Sequence, residues 1–176
     1  MAQALSGDEV RRLRELLDKE AIREVMNRYV RGSDRCDPEL MKSAYWEDAF
    51  DDHGSFKGNA HDFVDRGYKL KIERAMSLSH ILGSMAIDLR GDEAFCETYF
   101  LYGAQWADEQ GSRIDVMAAR FVDRFERRAS EWKIANRVVT HDWSLVTRGL
   151  DERFPNFTDW VRGRTDRQDL SYSRAT

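Results

Sequence analysis

From Ser77 to Val146 the chain carries four long apolar-rich runs, residues 77–89, 94–107, 113–127 and 131–146, parted only by the short segments RGDE, DEQGS and RAS. Connections this short cannot carry a crossover, so consecutive runs must pair up and down as an antiparallel meander. The runs exceed the usual five or six residues of a strand and are apolar on both faces in places. A curved sheet reads this way when helices cover one face and a second subunit covers the other.

The part before the runs has helical periodicity. Ser6 and Glu9 have capping-box spacing, and Val10, Leu13, Leu17, Ala21, Val25 and Tyr29 follow as an apolar stripe. The spacing predicts a first helix to about Val30 with Gly32 as its stop. Asp37 and Pro38 form a cap and first turn for a short second helix carrying Leu40, Met41, Ala44 and Tyr45. Residues 48–54, DAFDDHG, read as a short strand, and Asn59 caps a third helix with Phe63, Val64, Tyr68 and Ile72 on its inner face. Helices first and long strands second means an α+β layer fold. The 176 residues form a single domain, residues 1–176, with a core over about 9–146 and a tail over 147–176, read as a short helix at 157–161 and an extended arm on the body or on a neighbour.

Composition removes several function classes. The formal charge is −4 with no basic block, so no nucleic-acid partner is expected. The apolar runs are far short of the ~20 residues that span a bilayer. The opening MAQALSGDEV has no basic segment followed by an apolar one, so no membrane and a cytoplasmic location are expected. Cys36 and Cys96 are too few for a disulfide framework or a zinc site and read as two thiols. No HExxH, GxSxG, Walker or GxGxxG pattern occurs, and neither a metal nor an organic cofactor is expected.

Chemistry therefore falls to a few residues. His53 and His61 flank a turn beside Asp51, Asp52 and Asp62 and read as turn residues, although a metal could use the same side chains. His80 lies on a run whose neighbours Leu78, Leu82 and Ala86 are apolar. It is either a hydrogen-bonded core histidine or, given a carboxylate on its ring N–H, a base. Asp34, at the break after the first helix, is the best candidate for that carboxylate. Strand alternation puts His141 on one face with Arg137, Val139, Trp143 and Leu145, as a pocket wall or a subunit contact. Trp46 and Trp143 are read as core or as a ligand platform.

The order AIREVMNRYVRGSDRCDPEL, EDAFDDHGSFKG, LSHILGSMAI and DRFERRASEWKIANRVVTHDW resembles the SnoaL-like branch of the nuclear transport factor 2-like superfamily over about Glu9 to Val146. The resemblance implies a cone of curved antiparallel sheet packed on N-terminal helices, a cystatin-like α+β barrel. The pattern is similar to hexachlorocyclohexane dehydrochlorinase, bile acid 7α-dehydratase and scytalone dehydratase. It implies a catalytic dyad of Asp34 and His80, with Tyr29 where the bile acid enzyme has a tyrosine. An arginine of these enzymes falls on His141, and a further acid falls near Gly103. The function it implies is a cofactor-independent lyase, of elimination or retro-aldol type, on a small cyclic or aromatic molecule. Substrate contacts are expected at His141, Trp46 and Trp143. An isomerase, a polyketide cyclase, or a non-catalytic binding module or dioxygenase-type small subunit are the alternatives. The relatives form dimers or trimers, and a homotrimer is expected, docking through a sheet face bearing Val116, Met117, Phe121 and Val139.

Overall fold

The computed structural model describes residues 4–109, 111–148, 161 and 163–173. Helix α1 (Gly7–Asp34) opens with the expected capping box: Ser6 accepts from the Glu9 N–H, and Glu9 accepts from the Ser6 N–H at 2.8 Å. Its packed stripe is Ile22, Val25, Met26 and Tyr29, each essentially buried and each contributing roughly 1.5–3 kcal/mol. The anticipated earlier part of the stripe is not packed, since Leu13 and Leu17 are exposed.

α1 also runs past the expected stop. Gly32 lies inside it, and a Cβ there would sit 2.5 Å from the Met41 backbone nitrogen. The glycine lets helix α2 (Pro38–Lys42) approach and does not end α1. The stop is Cys36, at φ +48°, with Asp37 N–H donating to Gly32 C=O at 2.8 Å and Cys36 N–H to Ser33 C=O at 3.3 Å. That is a Schellman ending built on a residue other than glycine. Asp37 then caps α2 as expected, accepting from the Leu40 N–H at 3.1 Å. α2 closes at Lys42, so Tyr45 begins strand β1 (Tyr45–Asp52) and is not helical.

After β2 (Lys57–Asn59), Asn59 caps α3 (Ala60–Arg74) by accepting from the His61 and Asp62 N–H groups. Four long strands follow, β3 (Ala75–Arg90), β4 (Glu93–Asp108), β5 (Gly111–Arg128) and β6 (Glu131–Arg148), joined by turns at positive φ on Gly91, Ala129 and Ser130. The described residues form one curved, unclosed six-stranded sheet in the order β2-β1-β6-β5-β4-β3. β1 joins β6 in parallel, the one departure from the antiparallel meander.

The helices cover the inner face of this sheet. Phe100, Phe121, Phe125 and Ile134 are buried there, with Met117 and Val139 packed beside them. The expectation that Met117, Phe121 and Val139 sit on a face lacking a helix is therefore corrected: they point toward α1 and α3. The outer face carries Ile81, Tyr99, Leu101, Val122 and Val138, all exposed. The proposed helix at 157–161 lies in residues that are largely outside the described ones. Residues 163–173, ending in the short helix α4 (Leu170–Ser173), pack on the body, where Arg167 reaches Asp37 at 3.0 Å and Arg35 reaches Asp169 at 3.4 Å. No helix among the described residues is long and apolar enough to cross a membrane.

Candidate active site

The site begins at the end of α1. The Schellman turn leaves Asp34 8% exposed and directed at β3, which is an edge strand. An edge strand offers N–H groups that no neighbouring strand takes up. Asp34 Oδ2 accepts the backbone N–H of His80 at 2.8 Å, and Oδ1 lies 2.5 Å from His80 Nδ1. One carboxylate thus fixes both the main chain and the ring of the same residue. A carboxylate can only accept, so Nδ1 carries the proton and Nε2 keeps the lone pair. The imidazole is 9% exposed, and burial pulls its pKa below the ordinary value against the opposing pull of Asp34. The ring is neutral at pH 7.

Beside it lies a cavity of about 160 Å³ between α1, α3 and the inner sheet face. Its walls are mostly apolar, with Met41, Phe63, Phe100, Met117, Phe121 and Val139 in them. His80, Tyr29, Tyr102, His53, Ser33 and Lys71 supply the polar atoms. Few polar groups converging in a greasy cavity is the usual construction of a small-molecule site.

A second pair faces the same space. His53 Nδ1 contacts Asp51 Oδ1, the ring stacks on Phe63 at 3.9 Å, and Nε2 is 3.4 Å from the Tyr29 hydroxyl. Asp51 is fully buried and also accepts from the Tyr45 hydroxyl at 2.6 Å. Behind Tyr29, the Arg137 guanidinium lies 4.1 Å from the ring centroid, held on Asp123 by two 2.7 Å bonds. Burial raises the Tyr29 pKa more than Arg137 lowers it, so the phenol keeps its proton and serves as a donor. Among the described residues no group of three or more His, Cys, Asp or Glu is placed to hold a metal ion. His53 and Asp51 are spent on each other.

The sequence candidates divide cleanly. Asp34, His80 and Tyr29 are brought together, whereas His141, Trp46 and Trp143 do not line the cavity. The Trp46 Nε1 donates to the Glu126 carbonyl at 3.1 Å under Arg128 and Lys133. On β6 an extra residue at Asp142 breaks the alternation: His141 is opposite Ala119 but Trp143 is opposite Ala118. Beyond that bulge, Trp143 and Leu145 turn to the outer face, and His141 is left exposed at the rim. Sequence reasoning missed His53, Asp51, Tyr102 and Lys71. The i, i+2 spacing of Asp51 and His53 was the available sign of the second pair. For Lys71 the sign was present too, since Ala60, Val64, Gly67 and Lys71 repeat at helical spacing, while Ile72 is exposed.

The same architecture occurs in solved structures. A protein from Novosphingobium aromaticivorans, provisionally titled a scytalone dehydratase, superposes with a TM-score of 0.68 at 18% identity over 77% of this chain and 91% of its own. The type 3 hexachlorocyclohexane dehydrochlorinase of Novosphingobium barchaimii gives 0.69 at 18% identity, over 78% and 95%. A cystatin-like protein of unknown function from Nostoc punctiforme gives 0.58 at 18%, over 72% and 92%. Likeness at this identity establishes the shared fold. No curated protein matches the sequence. Residues 14–138, more than half of the chain, match the SnoaL-like domain, and the chain belongs to the SnoaL-like domain family.

Proposed function

We propose that the protein is a cofactor-independent lyase, of elimination type, acting on a small cyclic or aromatic molecule. The observation that carries this is the 2.5 Å contact of Asp34 with His80 Nδ1, which leaves the Nε2 lone pair as a base beside an apolar cavity. Nε2 removes a proton from carbon, and Asp34 stabilises the imidazolium that forms. Tyr29, with His53 and Asp51 behind it, supplies a proton to a departing hydroxyl or a bond to an oxyanion. A single base contributes roughly 10²–10⁴-fold, so the substrate has an acidified C–H, beside a carbonyl or on an electron-poor ring.

An isomerase would use the same base, and product analysis separates the two. A hexachlorocyclohexane dehydrochlorinase shares the fold, and dehydrochlorination is an elimination. The working form is a cytoplasmic homotrimer. The support for assembly is the exposed outer sheet face with Ile81, Tyr99, Leu101, Val122 and Val138.

The test is a panel of cyclic β-hydroxy ketones and aromatic carbinols, followed by absorbance of the conjugated product. With a turned-over substrate in hand, His80→Ala lowers kcat/KM by about 10²–10⁴-fold. A variant within a few-fold of the natural protein would make the dyad a structural clamp on the edge strand.

A further inference from the structure

Lys71 has no part in the reading above, yet it lines the cavity and a second, adjoining one of about 40 Å³. Its environment differs from that of other lysines. Lys42, Lys57 and Lys133 each hold a carboxylate, at 2.7, 2.9 and 3.3 Å, and all three carboxylate partners lie at the surface or near it. Lys71 Nζ is bonded instead to one residue, Ser33, at 2.6 Å to Oγ and 3.5 Å to the carbonyl oxygen. Among the described residues no carboxylate is within ion-pair distance of it. Lys71 is half-buried, and an ammonium set against apolar walls without a carboxylate partner is disfavoured relative to the neutral amine. Burial does depress the Lys71 pKa, with Cys36 and Asp34 opposing more weakly. A neutral primary amine on an apolar cavity wall is a nucleophile toward carbonyl carbon.

We propose that Lys71 is a reactive amine that condenses with an aldehyde or ketone group of the ligand, so that the substrate class of this site is a small carbonyl compound. The Nζ lone pair attacks the carbonyl carbon, the C–O π pair moves to oxygen, and the oxygen takes the proton that the nitrogen gives up. The carbinolamine then loses its hydroxyl as water, and the nitrogen lone pair closes the C=N bond. The net change is amine plus carbonyl to imine plus water. A protonated imine acidifies the neighbouring C–H, which His80 Nε2 can remove, and the resulting enamine expels a β-hydroxyl as water with a proton from the Tyr29 side. Hydrolysis returns the amine and an unsaturated carbonyl product. The condensation deepens the lyase reading but does not need it, since it requires Lys71 alone.

The experiment exposes the full chain to benzaldehyde and cyanoborohydride at pH 7.5, where hydride converts any protonated imine to a stable secondary amine, and maps the adducts by peptide mass spectrometry. An ordinary lysine is neutral to roughly one part in a thousand at that pH. Lys71 is therefore expected to label at least about 10-fold faster than Lys19, Lys42, Lys57, Lys69 or Lys133. His80→Ala should label equally, and Lys71→Arg should lose only that adduct, with circular dichroism reporting an intact fold. Labelling of Lys71 in His80→Ala, with a turnover that does not depend on His80, would retain the amine and remove the dyad from catalysis. Labelling of Lys71 at or below the rate of the surface lysines overturns the proposal. So does binding of benzoate at Lys71 with no trapped adduct, which would make it an anion anchor.

Discussion

Two histidines face one cavity, each with Nδ1 on a carboxylate, and they are held in different ways. His53 and Asp51 are neighbours at the end of β1, two residues apart, so local strand geometry makes the pair. Asp51 is tied further to Tyr45 and is wholly enclosed. His80 and Asp34 are 46 residues apart, and their pairing exists only when the end of α1 is docked on the edge of the sheet. The local pair is a property of a segment, and the distant pair is a property of the whole fold. Whatever shifts α1 against β3 should therefore strike His80 first.

The sharpest way to break this comparison is to neutralise each carboxylate in turn. Asp34→Asn keeps an oxygen that can accept the His80 backbone N–H but removes the charge that stabilises an imidazolium. Turnover is expected to fall by about 10²–10⁴-fold. Asp51→Asn acts on the Tyr29 side and should cost about 10-fold, since a donor that assists departure remains in Tyr29 itself. Steady-state kinetics on one substrate decides it: a larger loss at Asp51 would exchange the roles of the two histidines.

A smaller effect tests whether α1 docking governs only the distant pair. A Cβ on Gly32 meets the Met41 backbone N, Cα and Cβ at 2.5–2.8 Å, and backbone cannot swing aside as a side chain can. Gly32→Ala should cost about 1–3 kcal/mol of stability by overpacking. Because Asp34 is two residues on, it should also loosen the contact with His80 while Asp51 and His53 stay paired. Denaturant unfolding gives the first number. Histidine ring NMR gives the second, and loss of both pairs together would show that the cavity moves as one unit.

The same glycine shows why part of the fold was legible and part was not. Ser6 with Glu9, Asp37 with Pro38, and Asn59 announce helix starts because capping is chemistry within four residues. The four strands are legible because period-two patterning is local as well. Gly32 invites the reading of a helix stop, and only the approach of α2 gives its real reason. Cys36 takes the left-handed position that sequence reasoning assigns to glycine. The parallel β1–β6 pairing and the bulge at Asp142 depend on partners far along the chain, so the displacement of Trp143 from the cavity could not be read. In the site, Asp34 and His80 could be nominated by position and by family likeness. Lys71 was signalled only by its helical spacing from Ala60, Val64 and Gly67, a weak sign because a lysine on a helix is ordinarily solvated.

The smallest effect lies in the pH dependence of His80. Its folded pKa is below the ordinary 6.5, with burial the leading cause and Asp34 pulling the other way. Between those two values the unfolded chain binds more protons than the folded one, so stability rises with pH across that window. It is flat above 6.5 and lost as pH falls through the folded pKa, by about 1.4 kcal/mol per unit of separation. The base must also be neutral to act, so the acid limb of kcat/KM should lie below pH 6.5. Removing the Asp34 charge deletes the leading opposing influence, and burial then acts with less resistance. The residual activity of Asp34→Asn should accordingly show an acid limb at still lower pH, whereas Asp51→Asn should leave the limb where it is. A limb that moves upward in Asp34→Asn would mean that another group is the titrating base.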